Sequence, residues 1–201
     1  MKYLMFLFWV LLSVQAFARP PLPVIPLNQY LAALNYFKEG GQTGCGLRID
    51  GETRDNLWIN VLVSVYMKES GTMFGMFKVF ARKINMKNGV PLIQDGKITY
   101  SSIGKIHKGW IKTDSGVQFL AVKDGEFFHN DGYMAAMEFD NAMDLLIAIP
   151  QTNFRVGFSK KEGGSEKVFE FNKRITQDEA DKLSSCMKNL NDAREKSKTS
   201  L

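Results

Sequence analysis

The sequence is poor in the residues on which enzymatic chemistry usually depends. It has two histidines and two cysteines in 201 residues, and it contains no GxSxG, Walker A, GxGxxG, HExxH or EF-hand pattern. A serine hydrolase, a nucleotide-binding enzyme of the common types and a motif-defined metalloenzyme therefore find no support. The composition predicts a protein that is not an enzyme and that needs no cofactor.

Long apolar runs are also absent beyond the N-terminus. Residues 1–18 carry one charge at Lys2, an apolar run over residues 3–14, and the sequence Ala-Phe-Ala at 16–18. The run is too short to span a bilayer, which takes about 20 apolar residues. The pattern predicts a signal peptide cleaved near Ala18 and a periplasmic or secreted mature protein without a transmembrane segment. The alternative is a buried N-terminal helix.

Cysteine is scarce, and its two copies have the spacing of neither a zinc site nor a redox motif. Cys45 and Cys186 lie far apart in the chain, with no CxxC pair. Since exported proteins meet an oxidising environment, we predict a disulfide between them. In the chain-entropy model, closing a loop of this length stabilises the fold by about 4–5 kcal/mol. Two buried free thiols, or a catalytic thiol, are the alternatives.

Proline is concentrated near the predicted cleavage site, with four of the six prolines in residues 19–26. Proline lacks an amide donor and fixes φ, so this segment is expected to be an extended lead-in. Residues 27–190 are then predicted to form one β-rich domain, followed by a polar tail at 191–201.

Apolar residues at helical spacing predict an N-terminal helix: Leu27, Tyr30, Leu31, Leu34 and Phe37.

From residue 47 onward apolar residues recur at every second position, which is the period of a β-strand. Every odd position from Leu57 to Met67 is apolar, so this strand is expected to bury one face. Segment 73–86 also fits a helix, but its aromatic and β-branched residues favour a strand. The dipeptides Asn88-Gly89 and Asp95-Gly96 predict hairpin turns. Further strands are predicted over 98–103, 110–113, 117–122, 154–158 and 167–171.

Two more helices are predicted in the second half of the chain. Asp140 is placed to cap a short internal helix that stops at Pro150. Thr176 and Glu179 form a capping box, in which two donors are satisfied reciprocally, at the start of a C-terminal helix. The predicted fold class is α+β: a mainly antiparallel, sandwich-like β-sheet with an N-terminal helix, a short internal helix and a C-terminal helix.

Residues 143–187 resemble the ending of small exported bacterial proteins. The likeness is carried by Phe154-Arg155-Val156, the Gly163-Gly164 turn, Phe169-Glu170-Phe171 and a helix with Leu183 and Cys186. In these features the segment is similar to the invasion-associated locus B family and to the exported accessory proteins of type VI secretion. The resemblance implies a β-rich, exported, non-enzymatic protein, and it assigns a function to no residue.

The net charge of +5 conceals two opposed blocks. Residues 78–112 carry eight basic side chains and one acidic, whereas residues 113–144 carry seven acidic and one basic. Such a surface can steer a charged partner, or neighbouring strands can pair these charges internally. Aromatic residues among the basic ones suit a core better than a nucleic-acid platform, and export also argues against nucleic acid. The predicted partner-binding residues are Lys78, Arg82, Lys83, Lys87, Lys105, Lys108, Lys112 and Trp110.

One imidazole lies among carboxylates. His129 is flanked by Asp124, Glu126 and Asp131, a candidate group for a divalent metal or an acid–base pair. Two Asp-Gly pairs in this run favour a solvated turn.

The sequence as a whole predicts a non-enzymatic accessory protein of the bacterial envelope that docks a protein partner, a secretion component or a restrained effector, through its charged surface. The alternative is an envelope hydrolase or metal-dependent enzyme built around His129.

Overall fold

A computed structural model describes residues 22–38, 41–120, 131–160 and 164–199, so the predicted signal peptide lies outside the described residues. Within these ranges the chain consists mainly of antiparallel strands. The described helices are α1 (Phe139–Ala148) and α2 (Gln177–Thr199). The described strands are β1 (Asn28–Lys38), β2 (Gly41–Glu52), β3 (Leu57–Met67), β4 (Met73–Ile84), β5 (Met86–Lys87), β6 (Val90–Pro91), β7 (Ile93–Gln94), β8 (Lys97–Ile98), β9 (Tyr100–Ser102), β10 (Lys108–Thr113), β11 (Gln118–Leu120), β12 (Gly132–Met137), β13 (Phe154–Ser159) and β14 (Glu166–Phe171).

The larger sheet has the strand order β1-β2-β3-β4-β12, and β9 also pairs with β4. Its pairs are antiparallel, and β1 is aligned with β2 from Asn28 opposite Glu52 to Lys38 opposite Gly41. Successive side chains of a strand point to opposite faces of a sheet. The odd-numbered residues of β3 from Leu57 to Val65 are buried, as predicted. They define the inner face of this sheet.

The predicted N-terminal helix is wrong, because these residues form β1. Leu31 is buried while Tyr30 and Phe37 are exposed, so the apolar residues do not make one buried helical stripe. Pairing along the whole of β2 satisfies the backbone of β1, and this outweighs a local preference for helix.

Most of the other predicted elements are present with shifted ends. The preference for a strand after Met73 is confirmed by β4, and the predicted strands at 110–113, 154–158 and 167–171 lie within β10, β13 and β14. The prediction over 98–103 is wrong in part, because β8 and β9 divide this segment. The strand predicted over 117–122 is present as β11, and its last two residues lie outside the described ranges.

The smaller sheet has the order β11-β10-β13-β14 and contacts the inner face of the larger one. The rings of Phe77 on β4 and Phe119 on β11 have centroids 5.6 Å apart. The backbone of β10 also approaches β4, since a Cβ on Gly109 would lie 2.7 Å from Val79 Cγ1. Side chains of the two sheets therefore share one hydrophobic core.

The described part of the proline-rich lead-in, residues 22–26, is extended. Val24 forms an isolated parallel bridge with β14. Its amide donates to the carbonyl oxygen of Val168 at 2.9 Å, and its carbonyl oxygen accepts from the amide of Glu170 at 3.0 Å. The lead-in thus covers part of the edge of the smaller sheet, which would otherwise present unpaired backbone groups.

The predicted disulfide is present and joins the larger sheet to the C-terminal helix. Cys45 lies on β2 and Cys186 on α2, and their Cα atoms are 5.8 Å apart. Both residues are buried, as are Leu183 and Leu190 on the same helix. Helix α2 therefore closes the inner face over β1 and β2.

Helix α1 closes the inner face over β3 and β4. Its Ala142 lies so near β4 that a Cβ on Gly75 would be 2.4 Å from the Cβ of Ala142. The prediction that Asp140 caps this helix is wrong: Glu138 occupies the cap position, and Asp140 lies in the first turn. A carboxylate there still interacts favourably with the positive end of the helix dipole.

The capping box predicted for α2 is only half formed. Thr176 Oγ1 accepts from the backbone amide of Glu179 at 3.3 Å, as expected. The Glu179 carboxylate instead accepts from the backbone amide of Ala33 at 2.6 Å and from Lys182 Nζ at 2.8 Å. Helix α2 continues through the predicted polar tail to Thr199. No helix in the described ranges is both long and apolar enough to cross a membrane.

Two short hairpins follow β4, and we call residues 85–99 the hairpin extension. The predicted Asn-Gly and Asp-Gly turns form their tips, and all four turn residues have positive φ. After the second hairpin, β9 returns to pair with β4. Three backbone hydrogen bonds of 2.8, 2.9 and 3.0 Å join the base of the hairpins in a ring through Asn85, Leu92 and Thr99.

Candidate functional site

The face of the larger sheet that points away from the core is called the outer face. It carries the even-numbered side chains of β1, β3 and β4, whereas the helices and the smaller sheet contact the inner face described above. Its largest side chains are aromatic, and they are half-buried or exposed. They are Tyr30 and Tyr36 on β1, Trp58 and Tyr66 on β3, and Phe74 and Phe80 on β4.

At one end of the outer face three rings form a row across the strands. Tyr36 and Tyr66 have ring centroids 4.8 Å apart, and Tyr66 and Phe74 have centroids 5.6 Å apart. Gly44 on β2 leaves the space that the tyrosines fill, since a Cβ there would lie 2.8 Å from Tyr66 Cδ1. Burial, and then the hydrogen bond with Tyr36, raise the pKa of Tyr66 well above its usual range. The rings at this end are engaged with one another.

At the other end of the outer face lies an open cleft of about 750 Å³, which we call the aromatic cleft. It is lined by the ends of β1, β2 and β3, by the hairpin extension and by β9. Trp58 and Tyr100 meet there with ring centroids 5.3 Å apart and ring planes tilted by 42°. The cleft therefore brings together residues that are distant in the sequence.

Asp50 is the first of two carboxylates in the aromatic cleft, and it is internally paired. It accepts from Asn60 Nδ2 at 2.8 Å, and Arg48 Nε lies 3.0 Å from its other oxygen. The Arg48 guanidinium also lies over the ring of Tyr30, 5.8 Å from the centroid. The charge of Asp50 is thus balanced by a cation that is itself held by an aromatic ring.

Glu52 is the second carboxylate, and its surroundings differ. It lies opposite Trp58 in the register of β2 and β3, so the two side chains are neighbours on the outer face. Its carboxylate accepts from the neutral amide of Asn28 at 3.2 Å. Burial, and then the charges of Asp50 and Glu52, raise the pKa of Tyr100. Both carboxylates therefore act on the aromatic part of the cleft.

Exposed apolar side chains surround the aromatic cleft. Leu27 and Tyr30 line it with 59% and 48% exposure, and Ile98 of the hairpin extension lines it with 42%. Ile93 lies directly opposite Ile98 in the β7–β8 hairpin, on the same face, and is 60% exposed. Apolar side chains exposed together are typical of a surface that binds a partner.

The structure distributes the predicted partner-binding residues over two sheets. Lys78 and Arg82 belong to β4 of the larger sheet, while Lys83 at its end and Lys87 in the hairpin extension are exposed. Arg82 Nε lies 2.5 Å from the carboxylate of Asp131, which is buried. The two opposed charge blocks thus meet in an internal ion pair at this point.

The other predicted partner-binding residues belong to the smaller sheet or to the segment before it. Trp110 packs against the backbone of β13, because a Cβ on Gly157 would lie 2.2 Å from Trp110 Cε2. Its Nε1 donates to Glu166 at 3.0 Å, so its polar group is engaged within the protein. Lys108 Nζ is 3.8 Å from the same carboxylate. The exposed lysines in this part of the chain are Lys105, Lys108 and Lys112.

The candidate metal or acid–base group lies mostly outside the described residues, which contain Asp131 but not Asp124, Glu126 or His129. Asp131 accepts from Arg82 Nε at 2.5 Å and from Nη2 at 3.4 Å, so its carboxylate is held in an ion pair. Within the described ranges, no three His, Cys, Asp or Glu side chains are grouped to hold a metal ion.

The aromatic cleft is not predicted by the sequence. From the sequence, Tyr30 is predicted to lie on a helix, and no role is predicted for Asp50, Glu52 or Tyr100. The available signal is the polar and aromatic content of the even positions in β3, among them Trp58, but only the strand order shows what lies beside them.

Comparisons of the chain with protein-family models, with curated proteins and with solved structures found no match.

Proposed function

We propose that the protein is an exported, non-enzymatic accessory protein of the bacterial envelope that docks a protein partner at the aromatic cleft. One observation carries the proposal: exposed apolar side chains, aromatic rings and two carboxylates line one open cleft on the outer face. Clefts of this kind combine apolar contact area with a few polar groups that fix orientation.

The side chains of the cleft are those that commonly dominate binding between proteins. Truncating a central Trp or Tyr of an interface often costs about 2 kcal/mol or more, because these rings bury a large rigid surface. Trp58 and Tyr100 occupy such a place, with Leu27, Ile93 and Ile98 around them. A partner that covers this rim excludes water from the polar groups inside it, which strengthens their interactions.

Export and electrostatic steering are further parts of the proposal. The Cys45–Cys186 disulfide supports an oxidising compartment, in agreement with the leader sequence. The exposed lysines Lys83, Lys87 and Lys112 supply charge that steers acidic regions of a partner. In this proposal the two sheets form a sandwich, and the cleft lies on the outer face of the larger sheet. The likeness of residues 143–187 to invasion-associated locus B proteins and type VI accessory proteins supports an accessory role.

Photo-crosslinking in cells of the source organism tests the proposal. A photoreactive amino acid is placed at position 58 or 98 in the aromatic cleft, or at position 37 as a control. Phe37 is 64% exposed on β1 and does not line the cleft, so it is more accessible than either cleft position but lies elsewhere on the sheet. We expect one protein adduct shared by positions 58 and 98 and absent from position 37.

The adduct is then identified, and its binding to the purified protein is measured by calorimetry. Trp58→Ala is expected to weaken binding at least thirtyfold, about 2 kcal/mol, while Phe37→Ala leaves it unchanged. Tyr100→Ala serves as a second cleft variant if Trp58→Ala lowers the melting temperature. An adduct that binds Trp58→Ala and Tyr100→Ala as tightly as the native protein would falsify docking at the cleft.

A further inference from the structure

We infer that the aromatic cleft recognises a basic side chain of an extended partner segment, with Glu52 as its carboxylate partner and Trp58 as its ring. The inference rests on the proposed function and adds the chemistry of the partner to it. It follows from three observations: the charge balance of the cleft, the pairing of rings with cations on the outer face, and the apolar rim.

Of the two carboxylates in the cleft, Glu52 is the one whose charge is not already balanced by a basic side chain. Asp50 already has Arg48 at 3.0 Å, whereas Glu52 is bonded to the neutral amide of Asn28. Among the described residues no basic side chain forms an ion pair with Glu52. Because Glu52 is half-buried, a cation that reaches it under a docked partner is screened less than one on an open surface.

The rings of the outer face already bind cations elsewhere. Arg48 lies 5.8 Å from the ring centroid of Tyr30, and Lys68 Nζ lies 5.5 Å from that of Phe74. Tryptophan is the best ring for such an interaction, and Trp58 has no described cation over it. Since Glu52 lies directly across the strand from Trp58, a cation between them meets a ring face and a carboxylate together.

The exposed apolar side chains around the cleft determine which residues stand next to the basic side chain in the partner segment. Leu27 and Ile98 line the cleft, and Ile93 lies beside Ile98 on the same face of its hairpin. These side chains favour aliphatic neighbours of the basic side chain over a small solvated cation. An anionic lipid surface fits less well, because Glu52, whose charge has no basic partner among the described residues, repels its headgroups. The occupant is therefore a protein segment in which Lys or Arg stands beside apolar residues.

Lys173 provides a test of whether the side chain that occupies the cleft is basic or acidic. It also lines the cleft, and its ammonium repels a basic occupant. If the occupant is basic, Glu52→Gln weakens binding and Lys173→Gln strengthens it. If the occupant is acidic at this point, both changes have the opposite sign.

The probe is a phage-displayed library of random dodecapeptides, selected on the purified native protein and competed with Trp58→Ala. Selected peptides are synthesised, and their affinities are measured for the native protein, Glu52→Gln and Lys173→Gln. A second version of each peptide has its lysine replaced by norleucine, which removes the charge and keeps the aliphatic chain.

We expect enrichment of Lys or Arg next to apolar residues. Glu52→Gln should weaken binding about tenfold, and Lys173→Gln should strengthen it about threefold. The norleucine peptide should lose more than tenfold on the native protein, because it loses the contact with the Trp58 ring as well as the ion pair. It should lose less on Glu52→Gln, where only the contact with the ring remains to be removed. Thermal unfolding of each variant verifies that the fold is intact.

Other outcomes separate the two proposals. Apolar peptides that need Trp58 but bind Glu52→Gln equally well would overturn the basic-side-chain inference and leave docking at the cleft standing. Acidic peptides that lose affinity on Lys173→Gln would reverse the inferred charge of the occupant. If no selected peptide depends on Trp58, while the crosslinking experiment still finds a partner at positions 58 and 98, the extended-segment inference fails alone. Failure of both experiments removes the docking site as well.

Discussion

The two faces of strand β3 differ although their residues alternate in one short segment. On the inner face Ile59, Val61 and Val63 are completely buried. On the outer face Trp58, Leu62 and Tyr66 are only half-buried, and the smaller polar side chains of Asn60 and Ser64 are buried between them. One strand therefore supplies aliphatic residues to the core and aromatic residues to the surface.

The residues that form the core and those that line the cleft are therefore separated by the pleat of the sheet rather than by position along the chain. The inner face is closed by α1, α2, the smaller sheet and the disulfide, which together bury it from solvent. The outer face is left open and keeps the aromatic cleft. Substitutions on the two faces should accordingly differ in kind: inner changes affect unfolding, and cleft changes affect binding.

The largest effect on stability is expected from the disulfide. Replacing Cys45 and Cys186 together by Ser should lower the free energy of unfolding by about 4–5 kcal/mol in the chain-entropy model for a loop of this length. Urea denaturation at neutral pH measures it, with reduced native protein as the control for the side-chain change. Peptide binding at the cleft should persist in the fraction that stays folded, since the disulfide lies on the inner face. A loss below about 1 kcal/mol would show that α2 docks without the crosslink.

The second prediction compares two residues on opposite faces of β3. Ile59→Ala removes a fully buried side chain and should cost about 3 kcal/mol, whereas the half-buried Leu62→Ala should cost about 1 kcal/mol or less. Both residues lie on the same strand and lose a side chain of the same size, so burial accounts for most of the difference, with a smaller part from the β-branched side chain of Ile59. Equal losses in urea denaturation would mean that a further part of the protein covers the outer face.

The alternation of β3 was predictable from the sequence because it depends on local periodicity alone. The same is true of the hairpin turns, where Asn88-Gly89 and Asp95-Gly96 supply the positive φ that the turn requires. The disulfide was predictable from compartment and cysteine number. In each case a short-range or compositional rule was enough.

Strand β1 shows what local rules cannot provide. Its apolar residues fit a helical stripe as well as a strand, and the decision comes from pairing with β2. Strand β12 was missed for a similar reason: its pairing with β4 brings together residues 75 and 137, far apart in the chain. Glu179 was expected to complete its own capping box, but the backbone of β1 offers it a competing donor at Ala33.

The candidate site was missed because it is assembled from separate elements. The order of β2, β3, β4 and β9 brings together Trp58, Glu52 and Tyr100, and no single segment encodes this order.

The prediction from charge blocks assumed that neighbours in sequence share a surface. The structure places Arg82 and Lys112 on different sheets, so that assumption does not hold for these two residues. Whether the remaining lysines bind a partner is a prediction that charge reversal can test.

The third prediction challenges the idea that the outer face tolerates change. A Cβ on Gly44 would lie 2.7 Å from the carbonyl oxygen of Val65 and 2.8 Å from Tyr66 Cδ1. Gly44→Ala should therefore destabilise the fold by about 2 kcal/mol through displacement of the ring or the strand. Gly41→Ala is the matched control on the same strand, because its Cβ would meet only Lys38 O at 3.6 Å. A loss equal in the two variants would point to backbone entropy instead of steric conflict at the aromatic row.

The smallest effect concerns the side chain that protects the edge of β1. The Glu179 carboxylate accepts from Lys182 Nζ and from the backbone amide of Ala33, and these two bonds, in that order, lower the pKa of Glu179. A carboxyl group whose pKa is lower in the folded state stabilises the fold fully above its unfolded pKa of about 4.3. This stabilisation is lost as the pH falls through the lower, folded pKa, because the proton then binds the folded protein too.

Glu179→Gln isolates the charge, since its amide oxygen can still accept from the Ala33 amide. At pH 7 this variant should be less stable than the native protein by about 1 kcal/mol, and the difference should shrink as the pH is lowered from about 5 towards 3. Urea denaturation at several pH values measures it. Asp181→Asn is the control, because Asp181 lies on the same helix and accepts only from the exposed amide of Gln177. Equal stability of Glu179→Gln and the native protein at every pH would show that the edge of β1 is held by the neutral hydrogen bond alone, and the charge would then have no part in closing the inner face.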